Sequence, residues 1–205
     1  MTSRSLAVVS GGVSQPSSTR LLGDRLAGAT VRALNSRGVD ADVHVVELRE
    51  HGHNLVNNML TGFPGPALRE AVGHVVDADA LIAVTPVFTA SYSGLFKSFF
   101  DVLDADSLSG KPVLVAATGG TERHSLILEH AMRPLFAYLK CVVVPTAVFA
   151  ASSDWASAEG DGSVLGSRVD RAGRELAQLA AAVGPVGPPD PFDDPTPFAQ
   201  LLVDG

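Results

Sequence analysis

Leu6-Ala-Val-Val-Ser-Gly-Gly-Val-Ser-Gln-Pro-Ser-Ser-Thr-Arg20 passes from an apolar run, through a turn rich in glycine and hydroxyls, into a helical pattern. Residues 6–9 have the length and branching of a short buried strand that ends at Ser10-Gly-Gly12. A helix is predicted over 18–37, with Leu21, Leu22, Leu26, Ala29, Ala33 and Leu34 on one stripe and Gly38 stopping it as a C-cap. A strand feeding directly into a helix is one βα unit, so the fold depends on whether the unit repeats.

It repeats to the end of the chain. Residues 43–48 form a second strand whose alternating pattern suggests a sheet edge. Residues 49–64, rich in Gly, His, Asn and Pro, are expected to be a loop. Then come a helix at 66–76, a strand at 80–85, a helix at 93–103 and a strand at 112–117. A helix at 123–139, a strand at 142–148 and a last helix at 164–183 complete the series. Five such strands imply a parallel sheet with right-handed crossovers and are too few for an eight-fold barrel. An open doubly wound sheet of flavodoxin-like or Rossmann order is expected. Ligands then sit beyond the carboxyl ends of the strands, near the point where strand order reverses.

Composition agrees. The 205 residues suit one domain with its own core, and 46% apolar against 18% charged residues is ordinary globular usage. A formal charge of −7 argues against a nucleic-acid footprint. Cys141 is the only cysteine, which rules out an internal disulfide and fits a reducing compartment. The first apolar run is too short for a secretory segment and no later stretch reaches bilayer length, so a soluble cytoplasmic protein is expected. Residues 184–205 hold six of the 13 prolines and four Asp without Lys or Arg, and are set apart as a tail from a domain at 1–183. The tail is either an overhang or an arm that packs Phe192 and Phe198 on a sister subunit.

Three strand-end loops carry the chemistry. In the first, unpaired N–H groups at the start of the helix welcome an anion, with Ser17, Ser18 and Thr19 adding hydroxyls; the plainer reading is a Ser17 or Ser18 cap. The dinucleotide pattern Gly-x-Gly-x-x-Gly is absent, and so is the P-loop pattern. In the second, Thr85-Pro-Val-Phe-Thr-Ala-Ser-Tyr-Ser-Gly94, Pro86 is expected to end the strand and to form, with Val87 and Phe88, a floor for a flat ligand. The alternative is a turn with Phe88 and Tyr92 in the core. In the third, Ala117-Thr-Gly-Gly-Thr-Glu-Arg-His124, two glycines let backbone approach a ligand, or simply make a tight turn.

The chain resembles the NADPH-dependent FMN reductase family, particularly members that supply reduced FMN to luciferase-like or alkanesulfonate monooxygenases. The resemblance lies in Val8-Val-Ser-Gly-Gly12 with Pro16, Ser17 and Thr19, and in Pro86-Val-Phe88 with Ser91-Tyr-Ser-Gly-Leu-Phe-Lys97 and Asp101. It continues in Ala116-Ala-Thr-Gly-Gly-Thr-Glu-Arg-His124 and Arg133-Pro-Leu135, and covers roughly residues 4–150. It implies a flavodoxin-like, doubly wound, five-stranded parallel sheet of order 2-1-3-4-5 with helices on both faces. It also implies hydride transfer from NADPH or NADH to FMN, phosphate contacts from Ser10, Ser17, Ser18 and Thr19, and flavin contacts from Pro86, Val87, Phe88, Thr118, Gly119, Gly120 and Thr121. Relatives often carry Tyr at the position of Phe88 and a basic residue at that of Thr89, which leaves the nicotinamide preference open. A homodimer or homotetramer and a partner monooxygenase are further implications. A flavodoxin-type electron carrier and a quinone, azo or metal-ion reductase are the alternatives.

His124, at the end of the third loop, is the titratable group best placed to matter, although it also suits a first helical turn. His51 and His53 lack further ligands at metal-site spacing, so no metal is expected. Lys97 and Asp101 stand four apart and suggest a helix salt bridge, whereas Trp155 either lines the site or covers an edge.

Overall fold

Strand β1 (Thr2–Ser10) buries Leu6 and Val8 on one face and Ala7 and Val9 on the other, because it lies inside a sheet covered on both sides. The protein is described here from a computed structural model covering residues 2–156 and 164–183. Helix α1 (Ser18–Asn35) follows β1, then β2 (Val39–Glu47), α2 (Leu48–Thr61), α3 (Pro66–Asp77), β3 (Ala80–Phe88) and β4 (Ser91–Tyr92). The chain continues through α4 (Gly94–Asp101), β5 (Pro112–Gly119), α5 (Arg133–Tyr138), β6 (Val142–Val143), β7 (Val148–Ala151), α6 (Ser152–Ala156) and α7 (Val164–Ala182).

The parallel sheet runs β2-β1-β3-β5-β6, with β7 also on β5 and β4 antiparallel on β3. The expected doubly wound architecture is present, with β2 at the edge. The expected five strands become seven: β4 is an addition, and the last predicted strand is split into β6 and β7. Pro145 explains the split, since it has no N–H for the ladder, and the Glu175 carboxylate takes the Thr146 N–H and hydroxyl at 2.7 Å each. Helices α1 and α7 cover one face through Leu22, Leu26, Val169 and Leu176. On the other face α2 to α5 bring Leu55, Leu68, Phe96, Phe99 and Phe136.

Three further expectations need correction. Residues 49–64 are not a loop; most of them form α2, whose Leu48, Leu55 and Asn58 are buried. Tertiary burial at a few positions overrides the poor helix propensity of its Gly, His and Asn residues. Strand β3 does not end at Pro86 but runs to Phe88. The Val84 carbonyl accepts from Gly11 N at 2.8 Å, so its polar groups face β1; Pro86, two residues on, faces the same side beyond the end of β1. No ladder donor is demanded there. The predicted helix at 123–139 is broken into a 3₁₀ turn (Glu122–His124), a π turn (Leu128–Met132) and α5. Pro134 lacks the N–H that an unbroken helix needs, and Arg133 N reaches back to Leu128 O instead.

The expected tail at 184–205, with Phe192 and Phe198, lies outside the described residues. No helix among those described is long and apolar enough to cross a membrane.

Candidate active site

The loops after β1, β3 and β5 converge because their strands are neighbours in the sheet, and buried hydrogen bonds tie them together. The Ser93 hydroxyl donates to Gly11 O at 3.2 Å, and Ser93 N donates to Thr85 Oγ1 at 3.0 Å, joining the first loop to the second. Thr19 Oγ1 and Thr118 Oγ1 share a buried hydrogen bond of 2.8 Å that joins the first loop to the third. These contacts pre-set the loops before any ligand arrives.

Between the loops lies a cleft of 320 Å³. Of the residues expected at the site, Ser18, Thr19, Pro86, Val87, Phe88, Thr118, Gly119 and Gly120 line it. Ser10 is buried at the end of β1, outside the lining. Ser17 caps α1, its hydroxyl accepting from Arg20 N at 3.2 Å, and faces a neighbouring groove instead. Thr121 accepts from Arg123 N at 3.2 Å and opens the 3₁₀ turn that holds the exposed His124; neither residue lines the cleft. His51 and His53 lie on α2, and no group of three or more metal-ligating side chains occurs among the described residues. Lys97 and Asp101 form the expected salt bridge along α4.

Sequence reasoning passed over Val13, Ser14 and Ser152 in the lining and left Trp155 undecided; the structure puts Trp155 in the cleft wall. The signal was available, because Ser152-Ser-Asp-Trp155 follows the carboxyl end of the last strand, where a doubly wound sheet holds ligands.

Among the described residues the lining holds no ionisable side chain. Two nearby cations are paired with carboxylates: Arg20 bonds Asp24 at 2.8 Å and also Glu47, and Arg49 bonds Glu47 at 2.7 Å. The Asp24 hydrogen bond, helped by Glu47, raises the Arg20 guanidinium above its ordinary value. The cleft therefore offers neutral donors at the positive end of α1: hydroxyls of Ser14 and Ser18, and first-turn N–H groups of Ser18 and Thr19 that have no intrahelical partner. A Cβ on Gly12 would stand 2.3 Å from Ser17 Oγ, whereas Gly120 has nothing within 4 Å. One end is thus a tight anion cradle, and the other is open backbone beside Pro86, Val87 and Phe88. A phosphate tethered to a flat ring fits both ends.

Residues 5–156 match the sequence profile of the NADPH-dependent FMN reductase family. The chain belongs to this family. The NADH-dependent FMN reductase SfnE of Pseudomonas putida is 33% identical over 177 residues, 86% of this chain and 92% of that protein. An FMN reductase (NADPH) of Pseudomonas aeruginosa is also 33% identical, over 85% of this chain and 91% of its own length. Among solved structures, an oxidoreductase from Corynebacterium diphtheriae superposes with a TM-score of 0.83 at 43% identity, covering 90% of this chain and all of that one. The NADH:FMN oxidoreductase EmoB gives 0.72 at 26% identity, covering 93% and 99%. This member of the FMN reductase family is an NAD(P)H:FMN oxidoreductase, with FMN and a reduced nicotinamide as its cofactors.

Proposed function

We propose that the cleft holds FMN with its phosphate at the start of α1 and its ring between the second and third loops. The reading is carried by one observation: residues from all three expected loops line a single cleft that combines a neutral anion cradle with an apolar wall. Bound FMN supplies the hydride acceptor. The protein supplies binding and orientation, so no nucleophile or general base is needed. Pro86, Val87 and Phe88 support one side of the ring, leaving the other to a nicotinamide. Gly119 and Gly120 line the cleft beside this wall, and their backbone would stabilise negative charge on a bound flavin. Thr121 and His124 act at most from outside the lining.

Ser18→Ala tests the phosphate placement. FMN affinity, read by flavin fluorescence, should fall about five- to tenfold, while riboflavin, which lacks the phosphate, should bind as before. An equal loss for both flavins sinks the placement.

NADH and NADPH are both open as donors. Reduced FMN is released to a partner monooxygenase, in the cytoplasm, from a homodimer or homotetramer. The oligomer reading is supported by Val56, Met59, Leu60 and Phe63, apolar residues between 53% and 80% exposed along α2 and just beyond it. Leu60→Asp should shift the mass measured by light scattering toward the monomer; an unchanged mass removes α2 from the interface.

A further inference from the structure

Helices that link parallel strands run back against them, so they finish at the end of the sheet opposite the cleft. Three of them, α2, α3 and α4, finish around one cavity of 670 Å³. Asn58 and the cap Gly62 bring in the end of α2, Val76 and Asp77 that of α3, and the cap Val102 that of α4. Helix C-termini leave carbonyls without intrahelical partners and carry partial negative charge, which favours a cation. The chain already uses this field once. The buried Lys111 Nζ donates to Val76 O at 3.1 Å and to Ala78 O.

The side chains add further acceptors. Asn58 lines the cavity, is only 8% exposed, and its buried Oδ1 has no hydrogen-bond partner. Buried polar atoms without partners are rare in native folds and point to a missing donor. The carboxylates of Asp77 and Asp104 also belong to the lining, and neither forms a salt bridge among the described residues. Asp77 Oδ2 leans toward Gly73, 3.9 Å from where a Cβ would stand. Asp106 is paired with Lys140, and Arg69, two turns before Asp77 on α3, bonds Pro64 O at 3.3 Å. Among the described residues no three metal-ligating side chains gather, so a bare metal ion does not suit the site. Val72, Val76 and Val102 supply apolar wall instead.

We propose that this cavity binds a primary ammonium carried on a compact apolar body, the arylalkylamine class of organic cation. The ammonium meets Asn58 Oδ1 and the carboxylates of Asp77 and Asp104, and the body lies on the three valines. The Asn58 amide turns about a soft torsion, which lets Oδ1 face the ligand. The cavity shares no lining residue with the cleft, so the site stands independently of the flavin placement.

Phenethylamine is the probe, with 2-phenylethanol and 3-phenylpropionate as neutral and anionic counterparts of similar shape. Equilibrium dialysis against the full chain should show phenethylamine binding about tenfold more tightly than either counterpart. Asn58→Leu keeps the volume and removes the acceptor, Asp104→Asn removes a charge, and Gly73→Leu fills the cavity from a helical position with room for a side chain. Amine affinity should fall about fivefold in the first two variants and vanish in the third. FMN turnover should stay within twofold of wild type in all three, because none of these residues lines the cleft. Thermal melts identify a variant that has merely lost its fold, and the remaining substitutions then carry the test. Equal binding of amine and alcohol, or a preference for the acid, overturns the ammonium site. Amine that is not retained, or retention unmoved by the substitutions, overturns it as well.

Discussion

Ser17 Oγ sits where a Cβ of residue 12 would be, 2.3 Å away, while accepting the hydrogen bond that caps α1. A side chain at Gly12 can only be housed by turning the Ser17 hydroxyl off Arg20 N. Gly12→Ala should therefore cost about 1 kcal/mol of stability, the usual worth of an N-cap, and weaken FMN binding by tilting the cradle. A denaturant melt and a flavin titration check the two effects together, and unchanged values in both would contradict this account. The Thr19–Thr118 hydrogen bond raises the stakes at the same end of the cleft: both hydroxyls are buried, so losing one strands the other. Such pairings connect residues 99 positions apart and leave no trace in local sequence.

Among the elements, the β3–β4 hairpin carries backbone strain at two consecutive residues. Thr89 and Ala90 take φ of +48° and +66° in a two-residue turn whose twist suits the strands but not a side chain. That turn holds Val87 and Phe88 against the cleft. Replacing the pair by Asn-Gly (Thr89→Asn with Ala90→Gly) should stabilise the protein by about 1–2 kcal/mol, since those residues adopt left-handed φ at little cost. A lower melting temperature would refute the strain argument. Helix α2 shows the opposite relation between sequence and structure. Its glycine and histidines resemble a loop, yet Leu48 and Leu55 pay for helix formation by burial on the sheet. The strands were legible because burial on both faces demands continuous apolar runs. The breaks at Pro134 and Pro145 required knowledge of neighbouring carbonyls and of Glu175.

For the molecule as a whole, the linkage between pH and stability runs through the corner where the buried Lys111 meets the part-buried Cys141. Burial raises the Cys141 thiol from 9.0 to about 12. Above pH 9 the unfolded chain sheds this proton and the folded one keeps it, so the contribution is complete below 9 and is lost as pH rises toward 12. Burial pushes the Lys111 ammonium below its ordinary 10.5, and that group acts in the opposite sense: stability rises as pH climbs toward 10.5. The two slopes oppose each other, so the informative measurement is a difference. Denaturant midpoints of Cys141→Ala should fall less steeply than those of the wild type between pH 9 and 11; parallel curves would show that the thiol is not coupled to folding.

The sequence by itself determined the alternation of strands and helices, the parallel sheet with β2 at its edge, and the three loops. Each of these follows from periodicity, from glycine and proline, and from the rule that ligands gather at strand ends. Only the tertiary structure decided which loop residues face one another. It set Ser18 and Thr19 inside the cleft while leaving Ser17 as a cap and His124 on the surface. It also put Trp155 between the cleft and the groove along α1. The physical reason is that local sequence constrains the backbone of each loop. The facing of a side chain depends on strands brought together from distant parts of the chain and on the hydrogen bonds that lock them there.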